Sequence, residues 1–193
     1  MTMNRRDALA RLFAITGTVA IGAELFVSGC SRPPSAVPRE FSRADVALLD
    51  EVGDTILPVT DTPGAKAVGI GAFIATMARD CYDDANFSLL MQGIAAVHDR
   101  CRAAYGHDFL AASPSERTAL LNALDAEQRA RRQERGAPHY FRLMKELTLL
   151  GYFSSKIGCT HALQYVEAPG AYRGDVPYEP GQKGWYNPSL RVS

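Results

Sequence analysis

His98 and Cys101 stand three residues apart, the spacing at which two side chains share a helix face and hold one metal ion. No second pair at a matching spacing completes the ligand set, so the two read as a packed thiol beside a surface imidazole. Cys159 and His161, two apart near a helix end, point in different directions if helical. Asp80, Asp83 and Asp84 bring three carboxylates to one loop, where an acid/base pair has the right groups, but helix capping already accounts for Asp83 or Asp84. Gly69-Ile70-Gly71 is a fragment of a dinucleotide-binding fingerprint, without its third glycine or a preceding strand. Arg129, Arg131, Arg132 and Arg135 form a basic cluster interleaved with Glu127 and Glu134, the pattern of a solvated helix face more than of an anion or partner-docking patch. An enzyme in its own right would need Asp80, Asp83, His98 or His139 gathered in one pocket. The spacing predicts no catalytic, cofactor-binding or metal-binding residue on this chain.

The elements that would position these residues read as helices. Ser42-Arg43-Ala44-Asp45 is a capping box, and apolar residues at 48, 49, 52 and 56 follow at the spacing of one buried helix face until Pro58. A turn-rich loop, residues 59–64, precedes a helix over residues 70–81. Residues 83–86 form a polar break that caps a third helix running to about Tyr105, which Gly106 stops. Ser113-Pro114-Ser115-Glu116 starts a fourth helix to about Leu124, followed by a very polar segment from Asp125 to Arg135. Gly136-Ala137-Pro138 breaks the chain before a long helix from about His139 to Phe153. That helix is apolar nearly all round and is therefore expected at the centre. With a short helix near residues 155–163, the prediction is an all-α domain of about five to six helices over residues 42–163.

Residues 164–193 differ in kind. Four prolines and four glycines exclude a helix, while Tyr165, Tyr172, Tyr178, Trp185 and Tyr186 are too many aromatics for a free linker. This extended tail wraps its own body, docks on another chain, or does both.

The first residues read as an address. Arg5-Arg6, followed by Ala8 and Leu9 and then by a twelve-residue uncharged run from Leu12 to Ala23, resembles a twin-arginine export signal over residues 1–29. The run is shorter than the roughly 20 residues a membrane-spanning helix needs. Proteins on this route cross the membrane folded, carrying a cofactor or attached to a partner that does. Val27-Ser28-Gly29-Cys30 resembles a bacterial lipobox, which predicts a lipid anchor on Cys30 and a proline-rich linker over residues 30–41. The alternative is that Cys30 is incidental to an ordinary cleavage site.

Of 193 residues, 21 are basic and 21 acidic, so the charge footprint of a nucleic-acid binder is missing and none is expected as a partner. Cleavage before Cys30 leaves 164 residues, enough to fold without staples. Cys81, Cys101 and Cys159 then allow at most one internal disulfide, and spacing leaves the pair open. None of their spacings is CxxC or CxxCH, so neither thioredoxin chemistry nor covalent haem attachment is supported.

Several segments resemble the small subunit, subunit 3, of the gluconate 2-dehydrogenase family. They are residues 49–73, Phe141-Arg142-Leu143-Met144-Lys145-Glu146-Leu147-Thr148, residues 151–158, and Pro169-Gly170-Ala171-Tyr172-Arg173-Gly174 with Pro177. Most specific are Ile56-Leu57-Pro58-x-Thr60-Asp61-Thr62-Pro63-Gly64 and Gly151-Tyr152-Phe153; Lys156 departs from the Glu that relatives often carry after two serines. The resemblance implies a non-catalytic accessory subunit of a periplasmic, membrane-associated sugar or polyol dehydrogenase. In such complexes a large GMC-type flavoprotein holds FAD, and a cytochrome c subunit carrying haem c often passes electrons onward. The small subunit supplies the export signal to the Tat translocase and binds its partner. Gly151, Tyr152, Phe153, Tyr172, Tyr178, Trp185 and Tyr186 are the docking candidates. A stand-alone envelope lipoprotein with a structural or assembly role is the alternative.

Overall fold

The structure is a computed structural model that describes residues 39–133, 138–166, 170 and 177–185. Arg5, Arg6, Leu9, Cys30, Arg135, Tyr172 and Tyr186 lie outside the described residues. Within them the elements are α1 (Arg43–Ile56), a 3-10 turn (Ala65–Val68), α2 (Ile70–Cys81), α3 (Asp84–Tyr105), a second 3-10 turn (Phe109–Ala111), α4 (Pro114–Gln133), α5 (Tyr140–Ser154) and a π-helical turn (Gly158–Ala162). The domain is all-α, as the periodicity predicts.

The helix ends are set by local chemistry. The Ser42 hydroxyl accepts from the Asp45 amide at 3.1 Å, and the Asp45 carboxylate accepts from the Ser42 amide at 2.7 Å. The Asp83 carboxylate accepts from the Asn86 amide at 2.8 Å to start α3, and Gly106, at φ 80°, ends it. Glu116 accepts from the Ser113 amide at 2.7 Å at the start of α4. That helix runs to Gln133 and not to Leu124. Residues 126–133 are good helix formers without Gly or Pro, and Arg129 pairs with Asp125 one turn back at 2.5 Å. Polarity there marks exposure of the helix, not its end.

Helix α5 packs against all four other α-helices, both the first 3-10 turn and the π-helical turn. Its Phe141, Met144, Leu147 and Tyr152 meet Leu48, Leu49 and Val52 of α1, Ile70 and Ile74 of α2, Leu90, Ile94 and Val97 of α3, and Leu120, Leu121 and Leu124 of α4 in one core. Such crowding needs small residues at the closest approaches. A Cβ on Gly93 of α3 would stand 2.7 Å from the Tyr140 side chain, and one on Gly151 would stand 2.6 Å from Ile70 of α2. The one buried hydroxyl in the middle of α5, on Thr148, donates back to the Met144 carbonyl at 2.7 Å.

Charged groups fasten the helices from outside. Glu51 of α1 binds both Lys66 of the 3-10 turn and Arg117 of α4. Arg117 also donates to the Phe109 carbonyl at 3.1 Å and the Leu110 carbonyl at 2.7 Å, with its guanidinium 5.6 Å from the Phe109 ring centre. On the opposite flank of the sequence, Arg39 donates to the carbonyls of Arg79 (2.9 Å) and Tyr82 (2.6 Å) and binds Asp84, while Phe41 stacks edge-on against Phe87 at 5.6 Å. Residues 39–41, placed in the linker by composition, are thus packed against the body.

Burial pushes the Glu51 carboxyl up, but Lys66 and Arg117 outweigh it and hold it below its usual range. A depressed carboxyl contributes stability above its unfolded value near 4.5, lost as pH falls through the lower folded value. We expect E51Q to lower unfolding free energy by about 1–2 kcal/mol at pH 7. The gap should close as both proteins are taken to pH 3 in denaturant titrations; an equal gap at both pH values would refute the role of the charge.

Candidate functional site

The two segments most specific to the family resemblance meet in space. The Tyr152 hydroxyl, near the end of α5, donates to the Pro63 carbonyl at 2.6 Å, closing the loop that joins α1 to the first 3-10 turn. That loop is also drawn in by its own backbone: the Ala65 amide donates to Leu57 and the Thr60 amide to Thr62. Gly151 lies against Phe73 and Ile70, and the Phe153 ring stands edge-on to Tyr152 with centres 5.2 Å apart. The π-helical turn then doubles back, with the Cys159 thiol donating to the Phe153 carbonyl at 3.1 Å.

This geometry corrects part of the docking set. Gly151 and Tyr152 are buried, Tyr152 to 3% exposure, so they hold the fold together and present nothing to a partner. Phe153 is half-buried against the core. The outward surface begins beyond the π-helical turn. The Gln164 amide donates to Gly184 at 2.8 Å and its side-chain amide to Lys183 at 2.8 Å, forming an isolated parallel bridge between Gln164 and Trp185, while Lys183 binds the His161 carbonyl. The tail is therefore pinned to the body at residues 183–185. Pinned there, it leaves Tyr178 74% and Trp185 53% exposed, beside exposed Tyr165 and Val166. Large apolar groups held outward on a fastened backbone are what a docking surface requires.

Leu150 and Val166, also exposed, were missed in the sequence. Leu150 sits on the all-round apolar α5, where one stripe outruns the neighbours available to cover it. Only that excess over four packing partners could have flagged it.

Of the residues with catalytic potential, Asp83 and His139 serve as helix caps. Asp83 caps α3, His98 lies about four turns further along the same helix 3.5 Å from Asp108, and His139 caps α5 by accepting from the Phe141 amide at 3.2 Å. Asp80 pairs with neighbouring Arg79 at 2.8 Å. Cys101 and Cys159 are buried free thiols, which burial pushes up, away from the thiolate a nucleophile needs; Cys81 is exposed and free. Among the described residues no three His, Cys, Asp or Glu side chains converge as a metal site, and no helix is long and apolar enough to cross a membrane. A cavity of about 260 Å³ between α1, α4 and α5 is lined by Thr55, Asn122, Asp125, Arg129 and Lys145. Its carboxylate is already bound by Lys145 at 2.7 Å, Arg129 at 2.5 Å and Gln128 at 3.1 Å.

The family model described as gluconate 2-dehydrogenase subunit 3 matches residues 43–170. Comparisons with curated proteins and with solved structures return no match.

Frame and surface should separate on mutation. Y152F leaves the Pro63 carbonyl without its donor and is expected to lower stability by about 1–2 kcal/mol. W185S, at an exposed position, should stay within about 0.5 kcal/mol of the parent in denaturant unfolding. The reverse ranking would overturn the assignment of Tyr152 to the frame.

Proposed function

The chain belongs to the gluconate 2-dehydrogenase subunit 3 family, and from that premise we propose that it serves as the non-catalytic small subunit of a periplasmic, membrane-associated sugar or gluconate dehydrogenase. Oxidation of the substrate takes place on a GMC-type flavoprotein that holds FAD, with a cytochrome c subunit as a further partner. The observation that carries the reading is the outward display of Tyr165, Val166, Tyr178 and Trp185 on a tail fastened to the body through Gln164. Aromatic side chains bury much area for little lost rotamer freedom, so a few of them account for most of the energy in a docking surface.

The sequence of the address supplies the second half. A flavoprotein that folds around FAD in the cytoplasm must leave folded, and Arg5-Arg6 on this chain gives the pair one passport through the Tat translocase. A lipid on Cys30 would then keep the exported complex on the membrane. One chain alone holds it weakly, so the partner's own membrane contacts are part of the anchorage. No nucleic acid enters this scheme.

Gentle membrane extraction of the tagged protein from its host should bring a large, yellow, flavin-containing chain with it. The exposed-surface double variant Y178S/W185S should lose that chain while folding normally. A lone colourless lipoprotein, with the flavoprotein shown to be expressed, would replace this reading by a stand-alone structural role. Replacing Arg5 and Arg6 by lysine is expected to strand both chains in the cytoplasm; flavoprotein still reaching the envelope would end the carrier role.

A further inference from the structure

His139 is a buried titratable group that no part of the proposed function uses. Its side chain is 1% exposed, its ring lies 4.2 Å from that of Tyr140, and its Nδ1 accepts the Phe141 amide at 3.2 Å as the N-cap of α5. Because Nδ1 accepts, the single proton of the neutral ring sits on Nε2, which faces Glu127 of α4 at 3.7 Å without a hydrogen bond. A second proton has one place to go, Nδ1. There it confronts the Phe141 N–H, and an imidazolium has no lone pair left to accept it.

The geometry points to a proton-operated latch: uptake of one proton at His139 Nδ1 breaks the cap of α5 and loosens the first turn of that helix. The step balances simply, since the proton comes from solvent and no bond other than the Phe141 hydrogen bond is lost. Charges facing the ring come from two neighbouring helices. Arg100 of α3 and Arg131 of α4 oppose the extra charge, and Glu127, held by Arg100 at 2.5 Å, favours it. Tyr140, adjacent in sequence, is neutral, and burial pushes its phenol further up. The start of a helix is itself unfavourable for a cation. Burial first and then Arg131 push the imidazole below its ordinary 6.5, so the charged form is the less stable one in the folded protein.

The sign follows. A base depressed on folding contributes its full stability above about pH 6.5 and loses it as pH falls from there toward the folded value. What moves is defined by packing: Tyr140 stands against Gly93 of α3, so releasing the first turn of α5 also loosens its hold on α3.

The test compares the full chain with H139N, since Asn keeps a capping acceptor and does not titrate. Between pH 7.5 and 5.5 the parent's unfolding midpoint should fall about 2–4 °C further than that of H139N, the shift expected for one lost cap in a domain of this size. The other three histidines are common to both proteins and cancel. Parallel profiles would overturn the latch. Nitrogen-detected NMR of the parent gives a readout independent of the variant's folding. The expected spectrum has His139 unprotonated at Nδ1 at pH 7.5, with a titration that shifts the Phe141 amide in step. A proton on Nδ1 at pH 7.5, or a titration that leaves Phe141 unmoved, would refute it.

Discussion

One helix that is apolar nearly all round must be covered on every side, and the rest of the domain follows from how α5 meets that requirement. Four helices cannot all approach a fifth if each contact carries a full side chain. At one end Gly93 lets Tyr140 lie against α3, and at the other Gly151 lets Phe73 and Ile70 of α2 close in. Between them Phe141, Met144 and Leu147 are buried in the shared core. The coverage is incomplete in one place, at Leu150, and the chain turns outward soon after it.

Because α5 occupies the centre, charged side chains are confined to the rim, where they act as clamps between helices distant in sequence. Glu51 joins α1 to α4 and to the first 3-10 turn, Asp125 joins α4 to α5, Arg100 and Glu127 join α3 to α4, and Arg39 straps the N-terminal side onto α2 and α3. Each clamp uses carboxylates or cations that would otherwise be free for acid–base work. Burial raises the carboxyl groups of Glu51 and Asp125, and their cationic partners more than reverse it. These are the electrostatics of fastening.

Much of this was legible in residue order. The capping box at Ser42, the cap at Asp83, the stop at Gly106 and the start at Ser113 are local devices with fixed spacing, so their helices could be read with near-correct ends. The end of α4 was not, because Arg-rich polarity and a loop look alike until the Asp125 to Arg129 pair is seen to be helical. Docking residues were harder. Gly151, Tyr152 and Phe153 form a distinctive run, and distinctiveness does not say whether a residue faces in or out. The Tyr152 hydroxyl finds its acceptor 89 residues away, at Pro63, and no local pattern announces a contact of that range.

That contact also changes what the family resemblance means. Its two most specific pieces, residues 56–64 and 151–153, touch each other through Tyr152 and Pro63, so the shared pattern records a closed corner of the frame. The family match ends at residue 170, whereas Tyr178 and Trp185 lie beyond it. The frame has packing constraints of its own, since a Cβ on Gly93 would press on Tyr140 at 2.7 Å and one on Gly151 would force Phe73 and Ile70 to shift. The side chains of Tyr178 and Trp185, on a segment fixed to the body by Gln164 and Lys183, stand outward and free of the core, where substitution costs the fold little.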